Sequence, residues 1–302
     1  MAGVDMALKP GAIRELHWHK QGEWAYMISG RSRITCVNPY GQNFIDDVGQ
    51  GDLWFFPGGW PHSIQALKEG CEFLLVFADG TFSENSTFLL TDWLSRTPKE
   101  VITKNFGVSP KDMAWVPTQE LYIFESEVPG PLSSDQISSP YGKMENPLDF
   151  RLMEVKPTKT SGGTVRVADS TNFKASDEIS GGLVEIEPGA MRELHWHPAI
   201  DEWQYYIEGQ ARMTVFASDG VARTFDYQAG DVGFVPRTMG HYIENTGKTP
   251  VRFLELFNSS KFLDVSLNRW LALLPPNLVQ AHLNLNDTMK RSLRKVKQPV
   301  VK

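Results

Sequence analysis

The sequence is short of cysteine, of basic excess and of long apolar runs. Two cysteines, Cys36 and Cys71, in 302 residues cannot build a disulfide framework, and no C-x-x-C spacing offers a zinc or redox motif. Two free thiols packed in strands are expected. No stretch reaches the roughly 18 to 20 consecutive apolar residues that a membrane span needs, so a soluble chain is expected. Residues 1–16 hold no apolar run of the kind a secretory signal carries. The compartment stays open: cytoplasmic as the chain stands, secreted if a segment ahead of Met1 supplies a signal. Thirty Lys and Arg against 36 Asp and Glu give a formal net charge of −6, which argues against nucleic acid or an anionic membrane as partner. What is present, 41% hydrophobic and 22% charged residues, is globular composition. Folding a chain of this length buries roughly three quarters of its unfolded surface, enough for two modest cores.

The chain repeats itself. GAIRELHWH at 11–19 returns as GAMRELHWH at 189–197, EWAYMISG at 23–30 as EWQYYIEG at 202–209, and GDLWFFP at 51–57 as GDVGFVP at 230–236. The first pair is 178 residues apart and the others 179, so one residue is inserted between His197 and Glu202. Two copies at so long a period mean duplicated domains rather than a solenoid.

Each copy consists of short alternating segments punctuated by Gly, Pro and Asp, the pattern of an all-β antiparallel sandwich or barrel. Helices are predicted over 87–96 and within 263–286. These boundaries give a first domain over 1–105, a Pro/Gly/Ser-rich linker over 106–150 and a second domain over 151–302 that includes the C-terminal helices. Residues 290–302 read as a solvated tail. TVRVADSTNF at 164–173 has no counterpart before the first repeat, so the first barrel is expected to lack N-terminal strands.

Six of the seven histidines fall into two sets of matched spacing. His17 and His19 are followed by Glu23 and His62; His195 and His197 are followed by Glu202 and His241. On a strand, residues two apart point to one face, so each His-x-His pair can chelate one ion. A carboxylate and a third imidazole complete a three-nitrogen, one-oxygen site with positions left open for water or substrate. Such donors suit Zn, Fe, Mn, Ni or Cu, and ligand chemistry alone does not choose among them. Trp18 and Trp196, between the paired histidines, point to the other face and read as packing residues. His282 is outside the pattern.

The runs G-x5-H-x-H-x3-E-x6-G at 11–30 and G-x5-H-x-H-x4-E-x6-G at 189–209 resemble the first cupin motif, and Gly51 to His62 and Gly230 to Asn245 resemble the second. The departures, Ala66 where the pattern often has Asn and Thr238 where it often has Gly, touch no ligand. Over almost the whole chain the resemblance narrows to the bicupin oxalate decarboxylases, carried by RELHWHK, FIDDVG, PHSIQAL, FSENSTF, ADSTNF, RELHWHP, EWQYYI and MTVFASDG. It implies two tandem cupin (double-stranded β-helix, jelly-roll) barrels with short accessory helices. Each would bind one manganese, through His17, His19, Glu23 and His62 in the first and His195, His197, Glu202 and His241 in the second. It also implies dioxygen-requiring cleavage of oxalate to formate and carbon dioxide, and a homo-oligomer, trimer or hexamer.

The same resemblance places Arg14 and Arg192 at substrate-side positions, where a guanidinium can grip the free carboxylate of oxalate; the alternative for each is a structural ion pair. Cleaving the C–C bond leaves a carbon that must gain a proton, best delivered by a desolvated carboxylic acid. Glu84, in the lid-like Ser83-Glu84-Asn85-Ser86, is the candidate; the alternative is that Ser86 or Thr87 merely caps the next helix. The second copy has NSSKF instead, and Glu255 in its preceding strand either faces the second metal or serves structure. The competing readings are an oxalate oxidase producing hydrogen peroxide and a non-catalytic metal-binding or storage bicupin.

Overall fold

The computed structural model describes residues 1–302. They divide into two compact units, Met1–Arg151 with Lys174–Ser176, and Leu152–Phe173 with Asp177–Lys302. Both are built from antiparallel strands with short helices, as the all-β cupin reading expects.

In the first unit the elements are β1 (Ala2–Leu8), β2 (Ile13–Trp18), β3 (Glu23–Val37), β4 (Asn43–Gly49), β5 (Leu53–Phe56), β6 (His62–Phe77), β7 (Phe88–Leu89), α1 (Leu90–Arg96), α2 (Lys99–Phe106), β8 (Ile123–Phe124), α3 (Leu132–Asp135) and β9 (Asp149–Phe150). The sheet runs β7-β2-β6-β3-β5-β9, with β1 on β6, β4 on β3 and β8 on β2. β3 and β6 are long enough to pair twice, Glu23–Met27 against Phe73–Phe77 and Ser32–Cys36 against His62–Ala66. Between these stretches both chains turn at glycine. Gly30 has φ +71°, and a Cβ there would lie 2.0 Å from the Gly70 carbonyl oxygen, so no other residue fits the crossing. The two halves of the sheet then share one core that includes Met6, Ala25, Met27, Ile34, Val48, Trp54, Ile64, Phe73 and Leu75.

The second unit contains β10 (Thr158–Thr160), β11 (Gly163–Ala168), β12 (Ser180–Ile186), β13 (Met191–Trp196), β14 (Glu202–Glu208), β15 (Gln210–Phe216), β16 (Ala222–Gln228), β17 (Val232–Val235), β18 (Gly240–Asn245), β19 (Val251–Phe257), β20 (Val265–Ser266), α4 (Leu267–Ala272), α5 (Pro276–Leu283), α6 (Asp287–Ser292) and β21 (Val300–Val301). Here the path breaks into two sheets, β10-β11-β12-β19-β14-β17 and β16-β15-β18-β13-β20, with β21 on β13. Gly209, φ +87°, takes the place of Gly30.

Several expectations change. β1 pairs with β6 as β12 pairs with β19, so the first unit has that strand; only the hairpin β10–β11 is without a counterpart in it. Residues 106–150 belong to the first unit rather than bridging between units. β8 pairs with β2, and Asp135 on α3 joins Asp47 in binding the Arg33 guanidinium. The Pro/Gly/Ser content that suggested a linker reflects a surface wrap with few strand hydrogen bonds. Residues 290–302 are likewise no free tail: Val300 is buried and β21 pairs with β13 at Met191 and Arg192. β8 pairs with β2 at the repeat-related Ile13 and Arg14. The wrap and the tail are thus the same part of the repeat. Helices α1, α4 and α5 lie where helical patterning places them, while α2, α3 and α6 lie outside it. Cys36 and Cys71 are free and buried, and burial pushes both thiols up to about 12. No helix is long and apolar enough to cross a membrane.

Candidate metal centres

The register brings each set of ligands together. His17 pairs directly with His62 across β2 and β6, and His195 with His241 across β13 and β18. Glu23 and Glu202 open β3 and β14. The donor atoms of His17, His19, Glu23 and His62 all lie within 4.8 Å of one another, as do those of His195, His197, Glu202 and His241, and all eight residues are buried.

These donors fit a cation. Every one of the six imidazoles has Nδ1 against a backbone carbonyl: Glu15 at 2.6 Å, Gln21 at 2.8 Å and Trp60 at 2.8 Å in the first set, Glu193 at 2.7 Å, Leu263 at 2.8 Å and Met239 at 3.0 Å in the second. A carbonyl can only accept, so the proton sits on Nδ1 and the Nε2 lone pairs converge on the centre. Nε2 of His62, His195, His197 and His241 and Oε2 of Glu202 are buried with no hydrogen-bond partner. Lone pairs packed around a carboxylate repel one another unless a positive ion sits between them. Burial, helped by His62 and Arg14, holds His17 well below the usual imidazole range. Burial with Arg192 and His241 does the same to His195. Neutral imidazoles are the ligating form.

The second oxygen of each glutamate is held by a different device. Trp54 donates its indole N–H to Glu23 Oε1 at 3.1 Å, whereas Gln204 donates to Glu202 Oε1 at 2.7 Å and accepts from the Tyr206 hydroxyl at 2.9 Å. Neither donor was visible as such in the sequence.

Beyond the ligands the two units part company. Between Arg14 and His17, and between Arg192 and His195, the register shifts, and this bulge turns two successive side chains, Arg14 with Glu15 and Arg192 with Glu193, to buried sites. Arg14 reaches the lid: Nη2 donates to Glu84 Oε2 at 3.0 Å and Nη1 to the Tyr122 carbonyl at 3.3 Å, while the guanidinium lies 4.2 Å from the Tyr122 ring centroid. Its Nε has no partner. Glu84, partly exposed, also accepts from the Tyr122 hydroxyl at 3.3 Å. The sequence pointed to Arg14 and Glu84, and the fold joins them. Tyr122 was missed because it lies in the segment read as linker. Ser83–Ser86 forms a 3-10 turn, and the residue preceding α1 is Leu89, with no side-chain cap from Ser86 or Thr87.

Arg192 is instead locked. Nε and Nη2 donate to Glu255 at 2.8 and 3.3 Å, Nη2 to Asp264 at 2.7 Å, and Nη1 to the Pro299 carbonyl at 3.3 Å. Arg192 and Glu255 are both 0% exposed. The positions of Glu255 and Asp264 are held by Leu75 and Thr87 in the first repeat, so Arg14 has neither carboxylate. Of the two readings for Glu255, the geometry supports the structural one. Trp18 packs on Phe88 and Trp93, and Trp196 on Trp270.

Two jelly-roll units, each with a three-histidine, one-glutamate cage, define a bicupin metalloprotein. The chain belongs to the cupin family, whose model matches residues 1–114 and 151–291. Within it the similarity is to oxalate decarboxylases. The chain is 62% identical over 302 residues to oxalate decarboxylase OxdC of Bacillus subtilis (strain 168), covering 100% of this chain and 78% of that protein. It is 40% identical over 307 residues to a probable oxalate decarboxylase of Arthroderma benhamiae, covering 100% of this chain and 75% of the other. A solved structure of the Bacillus subtilis oxalate decarboxylase at pH 4.6 superposes with a TM-score of 0.98 at 62% identity, covering 99% of this chain and 78% of that one. Another, from work on its Mn(II) centres, also gives 0.98 at 62% identity, covering 99% and 80%.

Proposed function

We propose that this protein is a manganese-dependent oxalate decarboxylase, converting oxalate to formate and carbon dioxide with dioxygen required, and that the first unit carries the reaction. The observation that supports this placement is the pair Arg14–Glu84. Arg14 is a buried cation whose one carboxylate partner sits on a partly exposed turn, so that partner can give way to a substrate carboxylate; Arg192 is held by two buried ones.

Manganese would be held by His17, His19, Glu23 and His62 in the first unit, where it would supply a Lewis acid for the substrate, and by His195, His197, Glu202 and His241 in the second. Arg14 binds and orients the carboxylate of oxalate. That exchange releases Glu84, whose turn can close over the site and keep water out. When the C–C bond breaks, carbon dioxide leaves and the remaining carbon takes one proton to become formate. Glu84, protonated from solvent once it has left Arg14, delivers it. Glu255 and Arg192 hold the second unit together around an accessory centre. A homo-oligomer, trimer or hexamer, belongs to the same reading; the repeat-related Trp93 and Trp270, with Leu16 and Leu194, are exposed apolar side chains that association would cover.

The test is to incubate manganese-loaded protein with oxalate and measure formate, carbon dioxide and hydrogen peroxide. Formate as the main product is expected, and its absence refutes the reading. Glu84→Ala should abolish formate and leave manganese content unchanged; retained formate removes Glu84 from the role.

A further inference from the structure

Glu15 is buried beside Arg14 on β2 and is outside both the metal cage and the Arg14–Glu84 pair. Its carboxylate gathers four donors. Oε1 accepts from Thr91 N at 3.1 Å and Thr91 Oγ1 at 2.9 Å. Oε2 accepts from Leu121 N at 2.8 Å and Tyr122 N at 2.5 Å. The Glu15 amide in turn donates to the Tyr122 carbonyl at 3.1 Å. One residue therefore holds the Tyr122 backbone at both its N–H and its C=O.

Tyr122 needs holding. Its φ is +56°, a left-handed conformation that a tyrosine keeps only where its surroundings impose it. In that conformation the ring lies against the Arg14 guanidinium, the carbonyl takes Arg14 Nη1 and the hydroxyl reaches Glu84. The second unit shows the same frame without the device. Glu193 N and Arg192 Nη1 both donate to the Pro299 carbonyl, at 3.0 and 3.3 Å. Proline has no N–H to give and no aromatic ring to lay over Arg192. Glu193 Oε1 is accordingly buried without a hydrogen-bond partner.

We propose that Glu15 is a positioning residue for the reaction, setting Tyr122 so that Arg14 and Glu84 meet substrate in register. This rests on the assignment of Arg14 and Glu84 made above. The Glu15 backbone carbonyl, which takes His17 Nδ1, is untouched by a side-chain substitution, so metal binding serves as the control.

In the manganese-loaded full chain, Glu15→Gln replaces one oxygen of the carboxylate with an amide donor that cannot accept. It is expected to keep its metal, raise KM for oxalate about tenfold, as the loss of a charge-assisted hydrogen bond implies, and shift product from formate toward hydrogen peroxide. Thr91→Val keeps the carboxylate and removes one hydroxyl donor; it should move both readouts the same way by less. It decides the question if Glu15→Gln loses metal or fold. Parent KM and product ratio in the deciding variant overturn the proposal. Glu84→Gln, run alongside, separates the two readings. Retained formate there refutes the role of Glu84; loss there, with parent behaviour in the deciding variant, refutes the positioning role of Glu15 alone.

Discussion

Trp54 and Gln204 serve the same oxygen from different strands. Trp54 stands where the second repeat has Gly233, and Gln204 where the first has Ala25. Gln204 fills the space that Gly233 leaves open: a Cβ on Gly233 would lie 2.5 Å from Gln204 Oε1. Both end with an N–H on the outer oxygen of a ligand glutamate.

Partners of metal ligands fix ligand orientation, and removing one typically costs about 10- to 100-fold in metal affinity. Trp54→Phe should therefore weaken manganese binding at the first centre and leave the second alone, and Gln204→Met should do the reverse. Stepwise metal titration against a competing chelator measures both. Parent affinity at both centres in both variants would show that the outer oxygen does not matter.

Glu255→Gln removes charge from a fully buried ion network. Leaving Arg192 partly uncompensated should destabilise the second unit by about 3 kcal/mol. Thermal unfolding followed alongside formate production checks this: a lower transition with formate retained is the expected pattern, and an unchanged transition with formate lost would reinstate Glu255 as a chemical participant.

Asp264 gives that unit a pH signature. Burial alone would raise its carboxyl, yet Arg192 and Lys297 hold it down at about 2, from an ordinary 3.8. A depressed carboxyl contributes stability that is complete above its unfolded value and is lost as pH falls from about 4 to about 2. The shift corresponds to about 2 kcal/mol. Asp264→Asn should cost roughly that much at neutral pH, with the gap to parent closing below pH 4 in denaturant titrations. A gap independent of pH would assign the loss to packing instead.

Thr238 has φ +68° where the first repeat has Gly59 at φ +79°, and both amides reach a repeat-related histidine carbonyl, His197 and His19, at 2.8 Å. A β-branched residue is strained in this conformation. Thr238→Gly should stabilise the second unit by about 1 kcal/mol, net of the freedom glycine adds to the unfolded chain. A lower melting temperature would contradict this.

The metal cages were legible in the sequence because they depend on strand periodicity and on a repeat that places the same donors twice. Arg14 and Glu84 were legible because their chemistry stands out within short motifs. Tyr122, Asp264, Thr91 and Pro299 were not. They reach their sites through β8 and β21, two-residue strands too short to show alternation, or from turns and helix starts. The glutamate donors escaped for another reason. Trp54 and Gln204 are not repeat-related, so alignment of the copies marks both positions as differences, although space and hydrogen bonding make them equivalent.

β8 and β21 also impose an order on how each centre is made. The ligands of each cage are all translated by His62 or His241, but the carbonyl that meets the cage's arginine arrives only with Tyr122 or Pro299. During synthesis, when units fold as they emerge, a nascent chain holds a complete set of metal donors some sixty residues before it holds the shelf on which the arginine rests. Along the chain the donors of each cage come first and the carbonyl that holds its arginine comes last, in the first unit and again in the second.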